Sequence, residues 1–440
     1  MSESQSQAIA YKPPLSFWQI LSMSVGFFGI QHGFAIQFAR MSSIYEKLGA
    51  KPDEIPLLWL AAPMTGLLVN PIVGYLSDRT WCWLGRRRPY FLGGAILSSI
   101  ALFLMPYSSA LWMAAGLLWI LDASINISMG PFRAFVADKL SSSQVGTGYA
   151  LQAVMIGLGG FLGNAIASID WVARYPGLAA YGSSMHIQFF LCGIIFIVAV
   201  LFTVVTNSED PPENIEEFER ERKANAGVRH WAKETYEALF AMPGPMKRLA
   251  VVQFFTWMGL FCMWMYFSVT VAHHVFGATD PHSPLYEEGI AAASRAFAWQ
   301  QVVSTAFAFL IPVLVKYIGR TWTHTLGLLC GGLGLGLVFF ADQSFMLMIT
   351  MTGVGIAWAT ILSMPYALIA DYIPKEKYGI YMGVFNMFIV IPEILAAVAL
   401  GWVMLNVFGN NHIYAVTIGG AFMLLAAFLV VGLRKYEKKA

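Results

Sequence analysis

From Phe17 to Leu433 the sequence is a succession of apolar runs, most of them close to twenty residues long, broken by polar connections. A helix needs roughly 20 apolar residues to cross the hydrocarbon core of a bilayer. The runs fall at 17–40, 56–76, 89–107, 111–136, 145–169, 186–206, 248–272, 296–318, 322–341, 345–370, 377–403 and 412–433. About twelve membrane helices are therefore expected. In lipid every backbone polar group must be satisfied internally, so the fold class is all-α. Charged residues make up 12% of the chain against 58% hydrophobic, where a soluble domain carries about 25% charged. A polytopic transporter is expected rather than a soluble enzyme. The net charge of +2 gives no footprint for nucleic acid.

The longest polar stretch, 207–247, separates six runs from six. The expected organisation is a first half at 1–206, a linker at 207–247 and a second half at 248–440. Placing the N-terminus in the cytoplasm puts all but six of the 27 Lys and Arg on that side; the exceptions are Arg40, Lys47, Lys51, Arg133, Arg174 and Arg295. The positive-inside rule thus predicts both termini in the cytoplasm. The polar N-terminal stretch lacks a signal-peptide pattern, so the first run reads as a retained span. Cys82, Cys192, Cys262 and Cys330 lie far apart and propose neither a disulfide framework nor a zinc site.

The halves carry an internal repeat. Ala134-Phe-Val-Ala137-Asp138 with Gly146 matches Ala367-Leu-Ile-Ala370-Asp371 with Gly379 at an offset of 233. Gly85-Arg86 and Gly319-Arg320, after spans two and eight, repeat at 234. Parallel repeats of this kind are a transporter signature.

The strongest local motif is GYLSDRTWCWLGRRRP at 74–89. Gly74 permits close helix approach, Asp78 suits a cation or a helix N-terminus, and Arg86, Arg87 and Arg88 suit the cytoplasmic face. The stretch resembles the loop motif of the major facilitator superfamily between spans two and three. In that family it latches the two halves in one conformation, which gives Gly74, Asp78, Arg79, Gly85, Arg86, Arg87, Arg88, Asp138 and Asp371 as gating candidates. Two extra residues within the motif resemble the form found in plant sucrose–proton symporters and their bacterial relatives, of the glycoside–pentoside–hexuronide:cation group. GIQHGFAIQF (29–38), LWLAAPMTGLLVNPIVGYLSDR (58–79), WILDASINISMGPFRAFVAD (119–138) and GVFNMFIVIPE (383–393) carry the same resemblance. It covers the first 140 residues closely and the second half in patches.

In span four, Asp122, Asn126, Met129 and Arg133 share one helix face. Eleven residues rise roughly 16 Å, so Asp122 and Arg133 do not simply pair; Gly130-Pro131 offers a bend between them. An ionisable group at the bilayer midplane is costly unless it meets a wet cavity or is neutral, which marks Asp122 for proton coupling. The resemblance implies the same role for it, together with sugar binding, and implies a requirement for Arg133. A second midplane acid, Glu393, follows Pro392 in span eleven and shares a face with Asn386; in the plant proteins its counterpart is usually an amide.

Further binding candidates are Gln31, His32 and Gln37 in span one, Gln152 in span five and Gln301 in span eight. Lone amides also serve as interhelical glue; Asn164 and Gln300 are of this kind. Trp257 and Trp264 share a face of span seven, and Trp358 and Tyr366 lie in span ten. Indoles stack on the C–H faces of sugar rings, while amides and carboxylates bind hydroxyls. After Trp257 the plant acidic stretch and Arg-Glu are missing. His273-His274 stand in the latter's place, as a rim pair open to metal binding or pH sensing. The resemblance implies proton rather than sodium, since the sodium-coupled, melibiose-type relatives use paired acids in span two, where this sequence holds no acid before Asp78.

The expectation is a proton-coupled symporter of a disaccharide such as sucrose or maltose, working by alternating access. Its partners are the sugar, the proton and the lipid of the plasma (inner) membrane. A monomer without cofactor or metal is expected. An exporter of the same fold, or a non-transporting sugar sensor, are the alternatives.

Overall fold

The computed structural model describes residues 14–141, 144–209, 211, 237, 239–369, 372–373 and 378–436. Among them the regular structure is helical. Twelve helices carry the fold: α1 Phe17–Lys47, α2 Ala61–Asp78, α3 Arg88–Leu104, α4 Leu111–Lys139, α5 Val145–Ala167, α6 Ser184–Thr206, α7 Gly244–Thr270, α8 Pro284–Ala308, α9 Ile311–Leu337, α10 Ser344–Ile361, α11 Tyr378–Asn406 and α12 His412–Val430. All except α1 and α8 form spans long and apolar enough to cross a bilayer. Both carry polar groups that lower their hydropathy, among them buried Gln37 and Arg40 on α1 and, on α8, buried Gln300 and partly exposed Glu287.

Local chemistry sets the helix ends. Ser16 caps α1 through a capping box with Gln19, and Ser283 caps α8 by accepting from the backbone N–H of Tyr286. That cap places the start of α8 at Pro284, well before the expected 296. The first turns of α8 hold Glu287 and Glu288, whose polarity hides the helix in a hydropathy reading. The chain stays in the right-handed helical region through Phe309 and Leu310, and Pro312 explains the local break because it has no N–H to donate. The true turn into the ninth crossing is Gly319, at φ 83° and ψ 168°. Gly85 makes the matching turn of the first half at φ 106°, a region that favours glycine. Across Pro131, by contrast, α4 continues as one helix.

The packing repeats in the two sets of six. In the first, α1 packs on α5 and α6, α4 on α2 and α3, and α3 on α6; in the second, α7 packs on α11 and α12, α10 on α8 and α9, and α9 on α12. Without a water-driven hydrophobic force in lipid, helices gain by close van der Waals approach, which small residues permit. A Cβ on Gly159 would stand 2.4 Å from the Phe28 carbonyl oxygen, and one on Gly259 would stand 2.5 Å from that of Gly419. Each is a backbone-to-backbone approach with no room for a side chain.

The two sets meet through α5 on α8, α1 on α7 and α11 on α2. The hydrogen bonds and ion pairs that join them between described residues gather at the face remote from the start of α1 and the end of α12. There Arg40 and Lys47 bind Glu287, the former at 2.6 Å. Ser42 donates to the Met265 carbonyl at 2.5 Å, Tyr266 to that of Pro52 at 2.5 Å, and Asn410 to Asp53 at 2.9 Å. The bundle is thus fastened at one face.

Candidate functional site

Helix α4 delivers Asp122 to the interior, where it is 1% exposed. Its Oδ1 accepts from Gln37 Nε2 of α1 at 2.9 Å. One turn on, Asn126 Nδ2 donates to the Asp122 carbonyl at 2.9 Å and to Thr65 Oγ1 of α2 at 3.3 Å. Asp122 Oδ2 and Gln37 Oε1 are buried with no hydrogen-bonding partner. A buried polar atom left unpaired costs about 1–3 kcal/mol, more when charged. The pair is therefore incomplete in a way that a proton, a water or a ligand hydroxyl would repair.

More such atoms occur on the helices that meet at the boundary between the halves. His32 Nε2 on α1, Gln152 Nε2 and Asn164 Oδ1 on α5, and Gln253 Oε1 and Trp257 Nε1 on α7 are all buried and unpartnered. Gln31 and Gln301 flank α5: a Cβ on Gly159 would lie 2.9 Å from the Gln31 Cβ, and one on Gly160 would lie 3.0 Å from the Gln301 amide. Donors and acceptors from both halves therefore converge on α5. Gln253 was not singled out in the sequence; its position one turn before Trp257, on the same face, was the available signal.

Aromatic rings form a second wall. Trp257, Trp264 and Trp358 are mutually adjacent, with centroids 5.8–6.2 Å apart. Trp264 stacks on Phe38 of the first half at 4.7 Å and 12°, and Phe38 stacks on Trp59 at 5.9 Å. Tyr366 packs on Phe385 instead. Glu393 is 8% exposed on α11. Among the described residues no side chain hydrogen-bonds to its carboxyl. Asn386 is half-buried on the same helix.

Arg133 stands apart from Asp122. It is exposed, and Met129 Sδ is its polar contact at 3.5 Å. The two share a helix face but are separated by three turns, and the structure brings no carboxylate to the guanidinium among the described residues.

The arginine loop forms a compact network. Buried Arg87 reaches Asp78 at 2.6 Å, Asp138 at 3.0 Å and Ser77 Oγ at 2.7 Å, while Arg86 reaches Asp78 at 3.2 Å. These contacts tie α2, α3 and α4 together within the first half. Among the described residues the Arg86 and Arg87 side chains pair within the first half in this conformation, Arg87 lying at the head of α3 within reach of the ends of α2 and α4, and the expected latch to the second half is not among the described contacts. Arg79 turns back over the Tyr75 ring at 3.8 Å. Among the described residues a Cβ on Gly74 would meet nothing within 4 Å, so in this conformation the expected close approach is not made to any of them. Asp371 lies outside the described residues.

Glu209 was missed. Its carboxylate accepts from the backbone N–H groups of Arg86, Arg87 and Arg88 at 2.9–3.0 Å, at the N-terminus of α3. An acid there meets both the orphan donors and the positive end of the helix dipole. A Cβ on Gly85 would fall 2.8 Å from the same carboxylate.

The expected His273-His274 pair is split. His273 faces Glu46 of α1, whereas His274 lies beside the Phe339 carbonyl oxygen at 3.0 Å. Consecutive residues in a helical turn point about 100° apart, and the pairing could not survive that.

With this geometry in hand, comparison with known proteins decides the family. The sequence pattern of the Major Facilitator Superfamily matches residues 21–298 and 249–440. The chain belongs to that superfamily. Within it, the chain is 24% identical over 460 residues to Sucrose transport protein SUT5 of Oryza sativa subsp. indica, covering 92% of this chain and 85% of the relative. It is 24% identical to Sucrose transport protein SUC4 of Arabidopsis thaliana, covering 92% and 87%. To the General alpha-glucoside permease of Schizosaccharomyces pombe it is 24% identical, covering 69% of this chain and 57% of the permease. Among solved structures, the nucleoside transporter NupG superposes with a TM-score of 0.68 at 14% identity, covering 96% of this chain and 99% of that one. The superfamily's twelve-helix fold is thus shared with proteins of quite different sequence.

Proposed function

We propose that this protein is a proton-coupled symporter of a disaccharide of the sucrose or maltose type, working by alternating access in the plasma membrane. The observation that carries this reading is Asp122, buried, hydrogen-bonded to Gln37 and left with one unpartnered oxygen. The named sucrose transport proteins and alpha-glucoside permease supply the substrate class. The amides beside the Trp257–Trp264–Trp358 cluster suit it chemically: hydroxyls pair with Gln and Asn, and C–H faces stack on indole.

With both termini cytoplasmic, the fastened face is extracellular and the structure is the inward-facing state. Outside, the sugar and a proton enter while the Arg40–Glu287 contacts are apart. The neutral Asp122 carboxyl donates one hydrogen bond and accepts others, so it holds a sugar hydroxyl without burying a charge. Rocking of one half on the other closes the outer contacts and opens the cytoplasmic side. Loss of the proton there weakens the grip on the sugar. Glu393, the second acid buried in a span, gives the second half a protonatable group of its own. Arg133 acts as a cation on the cytoplasmic exit path. The functional unit is the single chain.

The test is uptake of labelled sucrose or maltose into proteoliposomes under an inward proton gradient. Wild-type protein accumulates sugar. Asp122→Asn retains sugar exchange at equal concentrations and loses gradient-driven accumulation; accumulation at the wild-type level would remove Asp122 from the coupling. Binding without movement would favour a sensor, and expulsion of sugar would favour an exporter.

A further inference from the structure

At the fastened face a second polar centre lies outside the transport site. Glu46 of α1 is 8% exposed. His273 lies in the wide turn Val271–Val275 after α7, and His412 opens α12. Glu46 Oε2 is 3.0 Å from His273 Nε2, and Glu46 Oε1 is 2.8 Å from His412 Nε2. The two imidazoles stack in parallel, with centroids 4.9 Å apart and planes 3° apart. One ligand atom from each of the three residues lies within 4.8 Å of the others.

The tautomers decide what such an arrangement needs. His273 Nδ1 is 2.6 Å from the Ala278 carbonyl oxygen, which can only accept, so Nδ1 carries a hydrogen. In the neutral ring Nε2 then presents a lone pair to the Glu46 carboxylate. Two lone pairs at 3.0 Å repel unless a cation lies between them. A second proton on the ring is one such cation; a metal ion is the other. Two further features match a metal centre. Backbone support of the non-ligating nitrogen is the usual way to orient a metal-binding histidine, and Tyr286 donates to Glu46 Oε2 at 2.6 Å, fixing the carboxylate in the same manner. Two histidines and one glutamate form a known zinc donor set, with a fourth position left for water.

We infer that Glu46, His273 and His412 form a binding site for a zinc-type divalent cation that bridges the two halves. One ligand comes from the first half and two from the second. The cation therefore binds the fastened arrangement and loses ligands when the halves part at this face. By mass action it stabilises that arrangement in proportion to its occupancy. Binding stands on the donor set alone. Only the effect on uptake rests on the alternating-access reading.

The experiment uses the purified full chain and zinc itself. Equilibrium binding of radioactive zinc should give one ion per chain. Affinity should fall at least tenfold in His273→Ala and in His412→Ala, and stay unchanged in His274→Ala, whose ring lies against Phe339 instead. Zinc-edge absorption on wild-type protein, which needs no variant to fold, should show two imidazoles and oxygen in the coordination shell. No bound zinc, sulfur ligation, or equal affinity in wild type, His273→Ala and His412→Ala would each overturn the site. In proteoliposomes, zinc added outside should slow uptake by wild type and a chelator should restore it. Zinc binding by a protein that moves no sugar would refute the transport reading while leaving the metal site standing.

Discussion

Neutralising Glu287 should open the fastened face. Its carboxylate holds Arg40 at 2.6 Å and also binds Lys47, so one acid of the second half joins two cations of the first. Arg40 is 3% exposed and keeps a second bond, to the Ala167 carbonyl at 2.9 Å. When the halves part at this face, all three charges return to water, so the pairing contributes to the fastened state alone. An exposed pair contributes about 0–1 kcal/mol, and breaking a fully buried one costs about 3–5 kcal/mol. The Glu287 side chain is 38% exposed, which places Glu287→Gln between those limits, at about 1–3 kcal/mol. That corresponds to a shift of roughly 5–150-fold in the conformational equilibrium. The assay is pulsed electron spin resonance on spin labels at Lys51→Cys and Thr279→Cys, both exposed and on opposite halves at this face, with Cys82 and Cys330 replaced by Ser. Wild type should give mainly the short distance, and Glu287→Gln should move population to a longer one. An unchanged distance distribution would refute the claim that this ion triad holds the face closed.

Three further outcomes follow from the same geometry. Gln37→Leu removes the one described side chain bonded to the Asp122 carboxyl and should raise the half-saturating sugar concentration at least tenfold, read by uptake; a wild-type value would show that the pair does not form part of the sugar site. Glu209→Ala strips three N–H groups of their shared acceptor at the head of α3, and should lower stability by about 1–3 kcal/mol. A thermal melt of the detergent-purified chain would register this as a drop of several degrees, and no drop would refute the anchor. Trp257→Phe should keep more sugar affinity than Trp257→Ala if ring stacking matters, with equal losses in the two variants arguing for the indole N–H instead.

The spans, the repeat and Asp122 were legible because each rests on local pattern: apolar length, a short motif at a fixed offset, an acid in the middle of a run. Gln37 was visible as a polar residue in a span. Its bond to Asp122 was not, because the two are 85 positions apart and only the packing of α4 beside α1 brings them together. The outer contacts were hidden for another reason. Arg40, Glu46, Lys47 and Glu287 sit near span ends, where charges are ordinary, and nothing in a one-dimensional pattern distinguishes a solvated end from one sealed by the other half. The same polarity disguised the first turns of α8 as a loop. Glu209 lay in what read as linker, and its role depends on the three N–H groups it meets. Gly74 shows another limit of sequence: a glycine permits close approach, but only packing decides whether a neighbour uses it, and no described residue does so in this conformation.

The stacked Phe38 and Trp264 rings bear on electricity. Between Gln37 and Glu46, helix α1 buries Met41, Ile44 and Tyr45, each at most 4% exposed. With the aromatic stack these side chains form a closely packed layer between the Glu46 centre and Asp122, which also encloses the polar side chains of Arg40, Ser42 and Ser43. A transmembrane voltage falls mainly where water is excluded, since water on either side carries the bath potential inward. A layer packed this closely at the fastened face takes a larger share of any voltage than a hydrated path would. If Asp122 takes its proton from that side, as the proposed symport requires, the potential would act on the loading of the carrier as well as on its turning.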